Sequence, residues 1–319
     1  MNWQILPNGL NLNTPMPQTI KLGTRQSVLA LQQAETIKQR LLEAFPELTI
    51  IIVPIKTAGD INQSQPLIEL GGKGVFIKAI EDELLKGTID CAVHCLKDVT
   101  SHLHPDTTLS AFCHAEAVTD CIIMANNTKV HSLDQLPKKI TIATSSLRRK
   151  LLLNHYRPDI IIKPIRGNID TRIQKCLDGY ADGVMLASAG LIRLKRESEI
   201  SMICDPTCIT PAPGQGVVVI QSKRSDTHLD PYLNKLDSPS QRELSLYEQA
   251  VIETIGISCD YPLGIYATKE AEIISLHACW SDATCATFNH RIIHGNHNTL
   301  MEKIKKLSTD IKTSLNISL

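Results

Sequence analysis

Ile140-Thr141-Ile142-Ala143-Thr144-Ser145-Ser146-Leu147-Arg148-Arg149 runs from a short apolar strand, through three hydroxyl residues, into the first turn of a helix. Ile160 to Arg172 repeats the pattern, with Arg166-Gly167-Asn168 at the junction and Thr171-Arg172 one turn later. In both, arginines stand where a strand gives way to a helix. Fork-shaped guanidiniums beside helix N-terminal N–H groups are how proteins hold carboxylates or phosphates. Strands alternating with helices predict α/β domains with mostly parallel sheets. Binding residues in such domains gather on the loops at the carboxyl ends of strands.

The same alternation extends in both directions. Ile20 to Gly23 reads as a strand, and Ser27 to Phe45 as a helix with Ser27 at its N-cap. Leu48 to Ile55 is β-branched and apolar enough to be a strand buried on both faces. Val75 to Leu85 reads as a helix and Ile89 to Val93 as a strand. After Cys121 the pattern starts again, with helix Ile169 to Leu177, strand Gly183 to Ala187 and short helix Ala189 to Leu194. Two such units predict two lobes with a cleft between them. From about Ser238 the texture changes. One helix (Gln241 to Ile255), two strands (Glu270 to Cys279, Ala286 to His294) and a final amphipathic helix (Thr299 to Leu315) predict a small α+β third domain.

Composition narrows the function classes. The 319 residues carry 33 basic and 33 acidic side chains, so the formal net charge is zero. The arginines therefore form a local site and not a generally basic surface of the kind nucleic-acid binders present. The longest apolar runs are too short to cross a bilayer. Met1 to Gln18 reads as a loose polar extension, without the basic start of a secretion signal or the arginines of a transit peptide. Ten cysteines with no CxxC pair read as free thiols in a reducing cytoplasm, with no zinc-site spacing.

The remaining motifs are individually ambiguous. Thr24-Arg25-Gln26-Ser27 puts an arginine at a cleft mouth, or merely a capping serine beside a solvated arginine. Gly71-Gly72-Lys73-Gly74 is a glycine-rich turn without P-loop spacing, and reads equally as a flexible loop. In Asp90 to Val99, Lys97 and Asp98 emerge where a strand ends; Asp98 is a candidate to stabilise a cation or shuttle a proton, or a plain turn aspartate. Pro211-Ala212-Pro213-Gly214-Gln215-Gly216 reads as a hinge or crossover more than a chemical group. Cys259 lies between Gly256 and Pro262, where a loop thiol can be reached, although most loop cysteines are inert.

Taken together these segments resemble the porphobilinogen deaminase family. The order and spacing match from about Ile20 to the end of the chain. The carriers are Thr24 to Ser27, Gly71 to Gly74, Ala92-Val93-His94 with Lys97-Asp98-Val99, Thr144 to Arg149, Arg166-Gly167-Asn168 with Thr171-Arg172, Ala189-Gly190-Leu191 with Arg193-Leu194, Gly214-Gln215-Gly216, and Cys259 with Pro262 and Gly264. The resemblance implies an α/β fold of two periplasmic-binding-protein-like lobes plus a small α+β C-terminal domain. The first lobe would be 19–115 with 216–236, the second 116–215, and the third domain 237–319 with the cofactor cysteine.

The implied reaction joins four porphobilinogen molecules head to tail into hydroxymethylbilane, releasing ammonia, in tetrapyrrole (haem) biosynthesis. It runs on a dipyrromethane primer attached covalently at Cys259. The resemblance makes Asp98 catalytic. It assigns the primer and growing chain to Lys97, Ser146, Arg148, Arg149, Arg166, Gly167, Arg172 and Gly190. It assigns the incoming substrate to Arg25, Ser27, Lys73 and Arg193. The substrate carries acetate and propionate groups, and each desolvated bidentate pair would contribute about 1.5–3 kcal/mol. The further implications are a cytoplasmic monomer with no metal, no nucleic-acid partner and no membrane.

Four positions depart from the family pattern. Ile257-Ser258 replaces the usual Gly-Gly before the cofactor cysteine, which is costly if those glycines have positive φ. Gln249 stands where an arginine is usual, Glu116 to Asp120 lacks the usual Asp-Pro-Arg-Asp, and Ala58 stands where a basic residue is common. Two other readings remain open from the sequence: a non-catalytic paralogue binding a small anion, and a plain two-lobed solute-binding protein. Both Asp98 and Cys259 argue against the first.

Overall fold

A computed structural model describes residues 19–57, 74–100, 103–256, 261–282 and 284–315, with residues 74–76 described in backbone only. Among them the strands are, in chain order, β1 (Thr19–Arg25), β2 (Thr49–Ile55), β3 (Cys91–Cys95), β4 (Thr107–Phe112), β5 (Asp120–Met124), β6 (Thr141–Ala143), β7 (Ile161–Lys163), β8 (Gly183–Ala187), β9 (Met202–Ile203), β10 (Val218–Lys223), β11 (Leu263–Glu270), β12 (Ile273–Trp280) and β13 (Asn289–Gly295). They form three sheets: β2-β1-β3-β10-β4, β7-β6-β8-β5-β9 and β11-β12-β13.

The two five-stranded sheets share one plan. In the first, β1 pairs in parallel with β2 and β3, through helices Val28–Ala44 and Gly74–Lys86. In the second, β6 pairs in parallel with β7 and β8, through helices Leu147–Tyr156 and Ile169–Leu177. The fourth strand of each sheet is antiparallel and has just crossed from the other lobe: β10 follows β9, and β5 follows β4. Each lobe thus owns a strand delivered by a crossover. The strands and helices expected from the sequence keep their type, with ends shifted by no more than three residues.

Apolar spacing explains the helices. Ala34, Ile37 and Leu41 fall on one face of Val28–Ala44 and pack on Ile20, Leu22, Ile50 and Val93. Ser27 caps that helix, its hydroxyl accepting from the Ala30 N–H at 3.3 Å. Helix Asp230–Leu236 closes the same face with Tyr232, Leu233 and Leu236. On the sheet's other face Ile80, Leu84, Ile89 and Ala92 form a second layer.

Two expectations need correcting. β2 is an edge strand and not one buried on both faces: Ile51 is 45% exposed. A β-branched run satisfies an edge as readily as a centre, because only one face must meet the core. The third domain also has a strand not foreseen, β11, which pairs along its whole length with β12. Its sequence Leu-Gly-Ile-Tyr-Ala-Thr-Lys-Glu has a glycine, Gly264, as its second residue, whose missing Cβ lets Thr210 O and Cys279 Sγ approach to less than 3 Å of the vacant position. Helices Pro239–Ile255 and His297–Ser314 cover one face of this sheet through Tyr247, Val251, Ile304 and Ile311.

The crossovers meet at Gly216. Its φ is +87°, and a Cβ there would sit 2.5 Å from the Ala117 carbonyl of the other crossover. Glu116 N–H donates to Gly216 O at 3.4 Å. We expect Gly216→Ala to cost about 2–3 kcal/mol through φ strain and backbone clash. Urea unfolding checks this; an unchanged midpoint would show that the crossovers are not in contact.

Candidate active site

The chemistry-bearing residues gather where strands end. Asp98 closes a single 3-10 turn, Leu96–Asp98, directly after β3. Leu96 N–H donates to Val217 O at 3.0 Å, and Leu96 packs against Gly214, whose φ of +71° leaves no room for a Cβ. The Lys97-Asp98 turn therefore rests on the second crossover.

Beneath the turn lies a buried polar network. His94 Nε2 meets Gln221 Oε1 at 3.0 Å. Gln221 Nε2 donates to Glu81 Oε1 (2.7 Å) and to Thr107 Oγ1 (2.8 Å), so its carbonyl faces the imidazole. Burial pushes the His94 pKa down to about 4. The ring is neutral and donates from Nε2, keeping positive charge away from the floor of the site.

In the second lobe Ser146 caps helix Leu147–Tyr156, accepting from the Arg149 N–H, and Asn168 caps Ile169–Leu177, accepting from the Thr171 N–H at 2.8 Å. The caps fix the helix starts that carry Arg148, Arg149 and Arg172. Gly167 has φ +117° and its carbonyl accepts from Arg172 Nε at 2.7 Å, folding that side chain back over the turn. Burial depresses the Arg172 pKa, as do the neighbouring charges of Arg149 and Arg166, while Asp98 opposes the shift. Three arginines of one lobe and the aspartate of the other thus share one electrostatic neighbourhood.

Arg148 and Arg149 are 4% and 7% exposed. Both grip Asp120, which is fully buried. Arg148 Nη1 reaches Oδ2 at 2.6 Å; Arg149 Nε and Nη2 reach Oδ1 at 3.1 and 2.7 Å. Arg148 Nη1 also donates to Thr210 O, and Arg149 Nη1 to Met185 O. Gln215 Nε2 adds a bond to Asp120 Oδ1 at 3.0 Å. Burial opposes ionisation of Asp120, but the two guanidiniums outweigh it and hold the carboxyl well below the usual carboxylate range. Two cations on one anion leave a net positive charge at the helix start. That excess attracts a ligand carboxylate.

The other expected residues are placed as follows. Arg25 ends β1 and Ser27 caps the next helix. Gly190 lies in helix Ser188–Arg193; a Cβ there would fall 2.7 Å from Ile169 Cδ1 and 3.8 Å from Leu29 Cδ2, so both lobes close on it. Arg193 donates from Nε to Glu116 Oε2 (2.8 Å) and from Nη2 to Gly216 O (2.5 Å), which ties it to the crossovers. Lys73 and Cys259, with Ala58 and Ile257-Ser258, lie outside the described residues. The helix leading to Cys259 ends at Gly256, in a left-handed cap of φ +75°.

Sequence reasoning passed over Asp120 and Gln215 as site residues. A signal for Asp120 existed: it opens the wholly apolar run Cys121-Ile122-Ile123-Met124, and a charge abutting a buried strand needs a partner. Thr119, where the family commonly has a cation, instead hydrogen-bonds Ser188 at 2.9 Å.

Two lobes of one topology, joined by paired crossovers, with an arginine pair locked on a buried aspartate at a helix start, define a two-lobed α/β protein. Residues 20–231 match the family model described as porphobilinogen deaminase, dipyromethane cofactor binding domain. A porphobilinogen deaminase of Wolbachia sp. subsp. Drosophila simulans is 39% identical over 292 residues, covering 91% of this chain and 96% of that protein. One from Ehrlichia chaffeensis is 41% identical over 248 residues (78% and 82% covered), and one from Syntrophus aciditrophicus 34% over 296 (93% and 94%). The chain belongs to the porphobilinogen deaminase family.

Removing the Asp120 charge should unbalance the site. We expect Asp120→Asn to destabilise the fold by about 3–5 kcal/mol at neutral pH, because two buried guanidiniums lose their counter-ion. Because the folded-state pKa is depressed, the stabilisation is present above the ordinary carboxylate range and is lost as pH falls through the folded value. The stability gap between wild type and variant should therefore narrow on acidification. Thermal unfolding from pH 7 to pH 3 checks it; a gap independent of pH would contradict the ion-pair account.

Proposed function

We propose that the chain joins four porphobilinogen molecules head to tail into hydroxymethylbilane, releasing one ammonia at each addition, as a transferase of tetrapyrrole biosynthesis. One observation carries the reading: the second crossover holds both the Arg148–Arg149 pair, through Thr210 O and through Gln215 on Asp120, and the turn that ends at Asp98, through Val217 O. A chain bearing many carboxylates, elongated through cations, needs both.

The donor set suits the primer of the matched domain. Arginine forks and capped helix N-termini are complementary to acetate and propionate groups. When bound, the dipyrromethane supplies the free pyrrole position at which the chain grows. Ser146, Arg148, Arg149, Arg166, Gly167, Arg172, Gly190 and Lys97 hold it. Cys259 would carry it, its thiolate bonding to a pyrrole methylene carbon as that carbon's amino group leaves as ammonia.

Arg25, Ser27, Lys73 and Arg193 orient the incoming porphobilinogen. Its loss of ammonia leaves an electron-poor methylene, and Asp98 stabilises the positive charge while accepting hydrogen bonds from pyrrole N–H groups. The neutral His94 below adds no competing cation. The first lobe spans 19–115 and 216–236, the second 116–215, and the third domain 237–319. The nine described cysteines are all free thiols, which supports a reducing, cytoplasmic setting. No helix among the described residues is long and apolar enough to cross a membrane. Family likeness supports a monomer.

We expect Asp98→Ala to keep the primer, seen as an intact mass excess of two pyrrole units, while losing about a hundredfold or more in turnover. Near-normal turnover would remove Asp98 from the chemistry. Cys259→Ser should show no mass excess; a loaded serine variant would put the attachment on another cysteine.

A further inference from the structure

Gln215 lies in the second crossover, is 3% exposed, and hydrogen-bonds through its side chain to Val118 and Asp120. We propose that Gln215 is a positioning residue: it fixes the Arg148–Arg149 pair, through Asp120, to the same crossover that supports the Asp98 turn.

Both protons of its amide are committed. Nε2 donates to Val118 O at 2.7 Å and to Asp120 Oδ1 at 3.0 Å. Both partners are acceptors, so the amide nitrogen must face them. Val118 belongs to the first crossover, Gln215 to the second. One side chain therefore spans the two connections and ends on the carboxylate that orients the arginines.

The backbone on either side cannot drift independently. Gly214 has φ +71° and a Cβ there would lie 2.6 Å from Leu96 Cγ, two residues before Asp98. Its N–H donates to Glu248 Oε2 at 2.7 Å. Gly216 has φ +87° and abuts Ala117 O. A shift of the crossover thus moves Leu96 on one side and the Gln215 amide on the other. Asp120 Oδ1 also holds Arg149 Nε and Nη2, so the amide competes for, and angles, the same oxygen. The Asp98 turn and the arginine pair lie in different lobes; Gln215 keeps them in register.

The inference rests on the proposed function, and the test separates the two. Wild type, Gln215→Met and Gln215→Glu are incubated with porphobilinogen and analysed by intact mass and steady-state kinetics. Methionine keeps the length but donates nothing. Glutamate keeps the shape but turns an acceptor toward Asp120, until its own protonation restores one donor. We expect both variants to carry the primer, yet to show a redistributed ladder of one to three added pyrrole units and a kcat/KM about tenfold or more below wild type. For Gln215→Glu the deficit should shrink as pH falls from 8 to 6, and for Gln215→Met it should not. A primer-loaded variant with a wild-type ladder and kcat/KM would overturn the proposal, as would a Gln215→Glu deficit that does not change with pH. If Gln215→Met does not fold, the pH dependence of Gln215→Glu decides alone. A wild type that never gains mass defeats the functional reading instead.

Discussion

Asp120 has no contact with water, and its charge is held in place by two arginines that are themselves nearly buried. Such a cluster is expensive to bury, and it persists only with every lone pair occupied. Here the occupancy is complete enough to draw in four stretches of chain: β5 through Asp120, helix Leu147–Tyr156 through the arginines, β8 through Met185 O, and the second crossover through Thr210 O and Gln215. Geometry at the arginine end of the site is therefore a property of the whole second lobe and its connections. Two positive charges on one negative charge also leave the cluster cationic, so the element that organises the lobe carries a net positive charge at a helix start.

The third domain is held to the same junction. Ile265 N–H donates to Pro211 O at 3.0 Å, and Glu248 accepts from Gly214 N–H at 2.7 Å and from Ala267 N–H at 2.9 Å. Burial raises the Glu248 pKa to about 7, against the lowering effect of those two N–H groups. A carboxyl raised in the folded state holds its proton where the unfolded chain has lost it, so it withdraws stability as pH rises toward 7. Above that value two backbone N–H groups are what stabilise the charge. Helix Pro239–Ile255, which carries Glu248, runs on toward Cys259. Glu248 on Gly214, and Gln215 on Asp120, thus join that helix to the Arg148–Arg149 pair through two consecutive residues of the second crossover.

Periodicity made the lobes legible. Alternating apolar strands and helices, the first helix capped by Ser27, gave the parallel core of each lobe (β1, β2, β3 and β6, β7, β8), because an amphipathic helix is specified by residues close in sequence. The cationic cluster was legible too, since Arg148, Arg149, Arg166 and Arg172 sit at strand-to-helix junctions. Strands β4, β5 and β9, the antiparallel setting of β10 and the exposed edge of β2 were not, because strand order depends on pairings 59 to 131 residues apart. Asp120 and Gln215 escaped for the same reason: their partners are 28 to 97 residues away in the chain. Nor does sequence alone separate an arginine that holds a ligand from one that also anchors a buried carboxylate.

A crystal structure of the protein after incubation with porphobilinogen tests the central claim most directly. The account predicts pyrrole carboxylates about 2.7–2.9 Å from the Arg148, Arg149 and Arg172 guanidiniums. It also predicts pyrrole N–H groups directed at Asp98, and Asp120 still bridging Arg148, Arg149 and Gln215. A bound pyrrole chain whose carboxylates rest on other cations, or an Asp120 that has released its arginines to admit the ligand, would contradict it.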